Sequence, residues 1–141
     1  MTTMNKTAIV TLFIALSGFI VLGLLFYPSE NGELAPDDEL APNEFIEKLD
    51  NQPGVVIDVR TLEEYQDGHL ALTDVHLDFL AGKIEKEMDN LDKNETYYLY
   101  CRTGNRSGQA MEIMRDAGFT NVYNIGGYED LITSGIPSKK E

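Results

Sequence analysis

The run Val55-Val56-Ile57-Asp58-Val59 limits the possible folds more than any other segment of the chain. Its β-branched residues do not alternate with polar ones, so the strand is apolar on both faces, as strands inside a parallel sheet are. Such a strand needs helices above and below it. Residues 42–49 open with a helix-compatible proline and place Phe45, Ile46 and Leu49 on one face, and Asn51-Gln52-Pro53-Gly54 breaks the helix. Thr61 caps a helix over 62–66, with Glu64 placed to complete a capping box and Asp67-Gly68 ending it. Further on, the pattern predicts a short strand at 75–77, an amphipathic helix over 81–91 through Ile84, Met88 and Leu91, and a buried strand at 97–100. A helix then follows Arg106 and stops at Gly118, residues 121–125 form a strand, and Gly126-Gly127 turns into a last helix around 129–133. This alternation implies an α/β domain over 42–138, with a mostly parallel central sheet flanked by helices and a short tail at 139–141.

Ligand sites in such sheets form at the carboxyl ends of the strands, where Asp58 and Cys101 both fall. Cys101, the only cysteine, opens the loop Cys101-Arg102-Thr103-Gly104-Asn105-Arg106-Ser107 between a strand and a helix. Backbone N–H groups of a tight loop that starts a helix converge as a nest, and the helix dipole adds positive charge. Both favour thiolate over thiol. A cysteine that merely fills space needs neither Arg102 and Arg106 nor Gly104, whose missing side chain permits positive φ. Cys101 is therefore the candidate nucleophile and residues 102–107 the candidate anion cradle. With one cysteine there is no internal disulfide, CxxC pair or thiolate zinc cluster. His69 and His76 are too few for a metal site, and each reads as a hydrogen-bonded histidine in a turn or beside a strand.

The net charge is −13, and every charged residue except Lys6 lies beyond Tyr27. Nucleic acid is thus excluded as a partner, and Arg102 and Arg106 form a local positive spot suited to a small anion. Residues 7–27 carry no charge and are dominated by apolar side chains, and a stretch of twenty-one such residues is long enough to span a bilayer as a helix. Lys6 before the span and acidic residues after it predict a cytoplasmic segment at 1–6 and a periplasmic or extracytoplasmic domain. Residues 28–41 read as a solvated acidic linker. The alternative is a signal cleaved near Ala35 or Ala41, which would leave a secreted protein.

The chain resembles single-domain rhodaneses, a sulfurtransferase family, from about Pro42 to Pro137. Val56-Ile57-Asp58-Val59-Arg60, then Glu63-Glu64-Tyr65 and Gly68-His69-Leu70, is similar to the family's first signature. Cys101 to Ser107 matches its active-site loop, and Gly118-Phe119, Val122, Gly126-Gly127 and Gly135-Ile136-Pro137 resemble its C-terminal signature. Two departures stand out. Ala71-Leu72-Thr73-Asp74 replaces the usual Pro-Gly-Ala with one residue more, where a local bulge is expected, and Leu131 stands where many members have tryptophan.

The resemblance implies a rhodanese-like fold and a thiosulfate sulfurtransferase that needs no cofactor and no metal. The Cys101 thiolate attacks the outer sulfur of a small anionic donor such as thiosulfate, sulfite leaves, and cyanide, a thiol or a protein cysteine takes the sulfur from the persulfide. Arg102 and Arg106 hold the sulfonate oxygens, Asp58 helps to fix the loop arginine, Arg60 pairs with Glu64, and His69 pins a turn. Two other readings compete. One is a non-enzymatic sulfur carrier or partner-docking module. The other is a phosphatase or arsenate reductase, whose cysteine loop is closed by arginine after one residue more than the four found here.

Overall fold

The computed structural model describes residues 38–140. The span expected at 7–27, the segment 1–6 and most of the linker lie outside them. Among the described residues no helix is long and apolar enough to cross a membrane.

The elements in chain order are α1 (Pro42–Asn51), β1 (Val55–Asp58), α2 (Leu62–Gln66), β2 (His69–Leu70), β3 (Val75–His76), α3 (Lys83–Glu87), β4 (Thr96–Cys101), α4 (Asn105–Asp116), β5 (Asn121–Gly127), α5 (Tyr128–Thr133) and β6 (Ser138–Lys139). Strands β3, β1, β4 and β5 form a parallel sheet in that order, while β2 and β6 form a separate antiparallel pair. The main sheet is the one predicted. The small pair was not, because two-residue strands leave no periodicity to read. It takes Lys139 out of the expected tail and sets it opposite His69.

Side chains that alternate along a strand divide the core into two layers. Ile57, Tyr97, Leu99, Cys101 and Val122 pack on one face with Ile84 and with Ala110, Met111 and Met114 of α4. Val56, Tyr98, Tyr100 and Ile125 pack on the other with Phe45 of α1 and Leu131 of α5. Leu131 is fully buried there, so the smaller side chain still completes the core.

Four expectations are corrected. The helix expected over 81–91 is only α3 followed by a 3-10 turn at Met88–Asn90, because Gly82, at φ 65°, starts the helix late. The extra residue near 71–74 makes no bulge in the β1–β3 ladder. It is absorbed in a turn in which the Thr73 N–H donates to the Leu70 carbonyl at 3.0 Å. Asp38 to Leu40, expected as solvated linker, instead extend the sheet: Glu39 pairs with Asn124 in parallel, and Asp38 forms an ion pair with Arg115. Arg60 pairs with Asp58 rather than Glu64, as described below.

Candidate active site

The capping box written into the first signature forms as read. The Glu64 N–H donates to Thr61 Oγ1 at 3.3 Å, and the Glu64 carboxylate accepts the Thr61 N–H at 3.0 Å. That carboxylate does a second job, receiving both Arg106 amino groups at 2.7 and 2.9 Å. Arg106 holds the Glu64 carboxyl down at about 2, against the upward push of partial burial and with help from Thr61. In return, the hydrogen bonds to Glu64 raise Arg106, with a smaller contribution from Cys101.

Asp58 and Arg60 make a separate unit. The guanidinium meets the Asp58 carboxylate at 2.6 to 3.0 Å and donates to the Gly68 carbonyl at 2.7 Å, and it lies 4.1 Å from the Tyr128 ring centroid. Burial works against the charge of Arg60, and the hydrogen bond and attraction of Asp58 outweigh it, leaving the group raised. Asp58 therefore fixes Arg60 and not a loop arginine. His69 ties the end of α2 through Nδ1 to the Tyr65 carbonyl at 3.1 Å and stacks on the Tyr65 ring, and His76 Nε2 donates to the Arg60 carbonyl at 2.8 Å. Among the described residues no cluster of His, Cys, Asp and Glu could hold a metal ion.

Cys101 ends β4 on the same face as Tyr97 and Leu99, and so points at the start of α4. Its side chain is 0% exposed, but polar hydrogens meet the sulfur. The Gly104 N–H donates to Sγ at 3.1 Å, and the Ser107 hydroxyl lies 3.5 Å away. Burial pushes the thiol up. The Ser107 hydroxyl and the N–H groups of Ser107, Thr103 and Gly104 more than reverse that push, so the group sits below its ordinary value.

Glycine makes the curl possible at two places. Gly104 turns at φ 90° ahead of α4, where a side chain would be strained. Gly127 lies under the loop, and a Cβ there would sit 2.8 Å from the Arg102 carbonyl oxygen. The β4–β5 register shifts by one residue at this point, between Leu99 and Cys101, which brings Gly127 opposite Cys101.

The structure thus brings Cys101, Gly104, Arg106 and Ser107 together around the sulfur, and leaves Arg102, Thr103 and Asn105 exposed at the rim. Three of the four described arginines hold carboxylates: Arg60 with Asp58, Arg106 with Glu64 and Arg115 with Asp38. Arg102 has no such partner among the described residues. It borders a hollow of about 240 Å³ together with Arg60, Glu64, Tyr128 and Glu129.

The cysteine thus lies at a strand end with the Gly104 N–H and the Ser107 hydroxyl against its sulfur. The rhodanese-like domain family matches residues 41–133. The chain belongs to that family. Among its curated relatives, thiosulfate sulfurtransferase PspE of Escherichia coli is 40% identical over 76 residues, covering 53% of this chain and 71% of PspE. The putative sulfur carrier protein YrkF of Bacillus subtilis is 33% identical over 100 residues, covering 70% of this chain but only 51% of YrkF. A solved rhodanese with anions from Escherichia coli superposes with a TM-score of 0.54 at 34% identity, covering 62% of this chain and 98% of that one. The rhodanese-like domain is a single one, and its α/β fold is that of the family.

Sequence reasoning missed Asn124, which is 3% exposed and hydrogen-bonded to both Gly104 and Ser107. The available signal was a polar residue two positions after Val122, on the strand face where an apolar residue belongs.

Proposed function

We propose that the protein is a rhodanese-type sulfurtransferase. The Cys101 thiolate attacks the outer sulfur of thiosulfate or a similar anion, the sulfur–sulfur bond of the donor breaks, and sulfite leaves with the bonding pair. The product is a persulfide whose terminal sulfur carries the negative charge. Cyanide or a thiol, including a protein cysteine, attacks that sulfur and releases the Cys101 thiolate.

The observation that carries this reading is the set of hydrogens on a buried sulfur. A thiol shut among apolar groups is inert, whereas one met by the Gly104 N–H and the Ser107 hydroxyl is prepared for negative charge. Arg102, paired with no carboxylate among the described residues, holds the sulfonate oxygens. Arg106 is committed to Glu64 and acts by closing the loop and adding positive charge near the sulfur. Because Cys101 is covered, the exposed Arg102-Thr103 segment must yield to admit the donor.

The likeness to thiosulfate sulfurtransferase PspE supports the enzyme, and the likeness to YrkF supports a second reading, a sulfur carrier whose donor and acceptor are proteins. Four residues between Cys101 and Arg106 argue against a phosphatase or arsenate reductase. The test is thiocyanate formation from thiosulfate and cyanide by the wild type and by Cys101→Ser. Turnover that disappears in the variant is expected, and equal turnover in both proteins would overturn the mechanism. A persulfide that forms on Cys101 but is not released to cyanide or thiols would favour the carrier.

Attachment to a membrane through residues 7–27, with the domain outside the cytoplasm, rests on the sequence alone. Retention of the full chain in the membrane fraction after alkaline carbonate is the expected result. Release into the soluble fraction would contradict it.

A further inference from the structure

Asn124 occupies an inward position on β5, opposite Leu99 of β4, and all of its side-chain hydrogen-bonding groups are engaged. Nδ2 donates to the Gly104 carbonyl and to Glu39 Oε1, each at 3.0 Å. Oδ1 accepts the Ser107 hydroxyl at 2.7 Å and the Gly126 N–H at 3.1 Å. A side-chain amide offers two donors and two acceptor positions, so this one is fully used. Its orientation is dictated by its partners, since the Gly104 carbonyl can only accept and the Gly126 N–H can only donate.

Two of these four partners belong to the groups that serve the sulfur. Gly104 gives its N–H to Sγ and its carbonyl to Asn124, so the glycine at φ 90° is held from both sides. Ser107 has one hydroxyl hydrogen and three acceptors within reach: Asn124 Oδ1 at 2.7 Å, the Gly104 carbonyl at 3.0 Å and Sγ at 3.5 Å. We infer that Asn124 is a positioning residue for Cys101, its amide holding the Gly104 carbonyl so that the N–H of the same glycine faces Sγ, while the single Ser107 hydrogen is taken up by Asn124 Oδ1 at the shortest of its three contacts. It touches no reacting atom. The inference deepens the sulfurtransferase reading but does not need sulfur transfer to be tested, because it concerns the thiolate itself.

The charged groups around the sulfur are Arg106 with its partner Glu64, Arg102 on the loop, and Glu39 on the far side of Asn124. Asn124→Leu alters none of them. It keeps the number and branching of the side-chain heavy atoms, in a somewhat larger side chain, and removes all four hydrogen bonds. The experiment is the pH dependence of Cys101 alkylation by iodoacetamide in the wild type, Asn124→Leu, Ser107→Ala and the double variant, with folding checked by circular dichroism.

Losing hydrogen bonds that serve a charged group is expected to raise the alkylation midpoint of Asn124→Leu by about one pH unit, which is about tenfold slower alkylation below both midpoints. The shift caused by Asn124→Leu is expected to persist in the Ser107→Ala background, because it passes through Gly104 and not through the hydroxyl. A folded Asn124→Leu with an unchanged midpoint would overturn the proposal, as would disappearance of the shift in the Ser107→Ala background. A residue that only stabilises the fold would lower the melting temperature and leave the midpoint alone. Should the variant not fold, the unaltered protein supplies the same test by NMR. The Asn124 side-chain amide resonances are expected to move with the ionisation of Cys101, and resonances that stay fixed through it would refute the assignment.

Discussion

Two loops leave the carboxyl ends of neighbouring parallel strands, one after β1 and one after β4, and they use the same kinds of residue in opposite ways. The β1 loop satisfies itself: Asp58 and Arg60 are both nearly fully buried, paired with each other and closed by the Gly68 carbonyl and the Tyr128 ring. The β4 loop aims hydrogen-bond donors at one sulfur and leaves Arg102 without a carboxylate partner among the described residues. Charges that are fully matched hold structure, and a charge without a match at the rim is available for a ligand. Arg106 stands between the two, since its fork is filled by Glu64 of α2, the helix that follows the β1 loop. That contact ties the self-contained loop to the reactive one.

The sharpest way to break this contrast is to remove one partner on the β1 side. Asp58→Asn leaves a buried guanidinium without its counter-charge, and a loss of about 3–5 kcal/mol is expected in urea unfolding. A loss well below 1 kcal/mol would mean that the pair is not structural.

Glu64→Gln comes next, because this pair is only partly buried, its side chains 17% and 27% exposed. About 2–3 kcal/mol of stability is expected to go, the order implied by a carboxyl held near 2 in place of 4.5. A lowered carboxyl stabilises the fold fully above its ordinary value of 4.5, and that contribution fades as pH falls towards about 2. Acid titrations of the wild type and Glu64→Gln should therefore converge across that window. Curves that stay parallel there would place the pair's contribution elsewhere.

Arg102→Ala should have the smallest effect on stability and a clear effect on substrate. The melting temperature is expected to stay within a degree or so, since exposed residues without partners contribute little. KM for thiosulfate should rise about tenfold or more, the value of one charge-assisted hydrogen bond. Unchanged KM would remove Arg102 from donor binding, and a large loss of stability would show that the arginine is not free.

Much of this architecture was legible in the residues. The non-alternating run at 55–59 announced a strand covered on both faces, Thr61 and Glu64 announced a capped helix, and Cys101 with Gly104 announced a curled loop at a strand end. Each of these signals is local. The pairings are not: whether Glu64 meets Arg60 or Arg106 depends on how α2 packs over the rim, and the sequence positions favour the wrong partner. Asn124 went unread for the same reason, because it lies 20 residues beyond the carbonyl it holds. The ordering of Asp38 to Leu40 depends on an edge of β5 that composition does not reveal.

The central claim is that the hydrogens gathered at Cys101 make its sulfur a carrier of negative charge that accepts sulfur from an anion. Mass spectrometry of the intact protein after brief exposure to thiosulfate, with the modified peptide located, tests it most directly. One added sulfur atom on Cys101, removed by cyanide, is the predicted result. A chain whose mass does not change under conditions in which iodoacetamide readily alkylates Cys101 would contradict it.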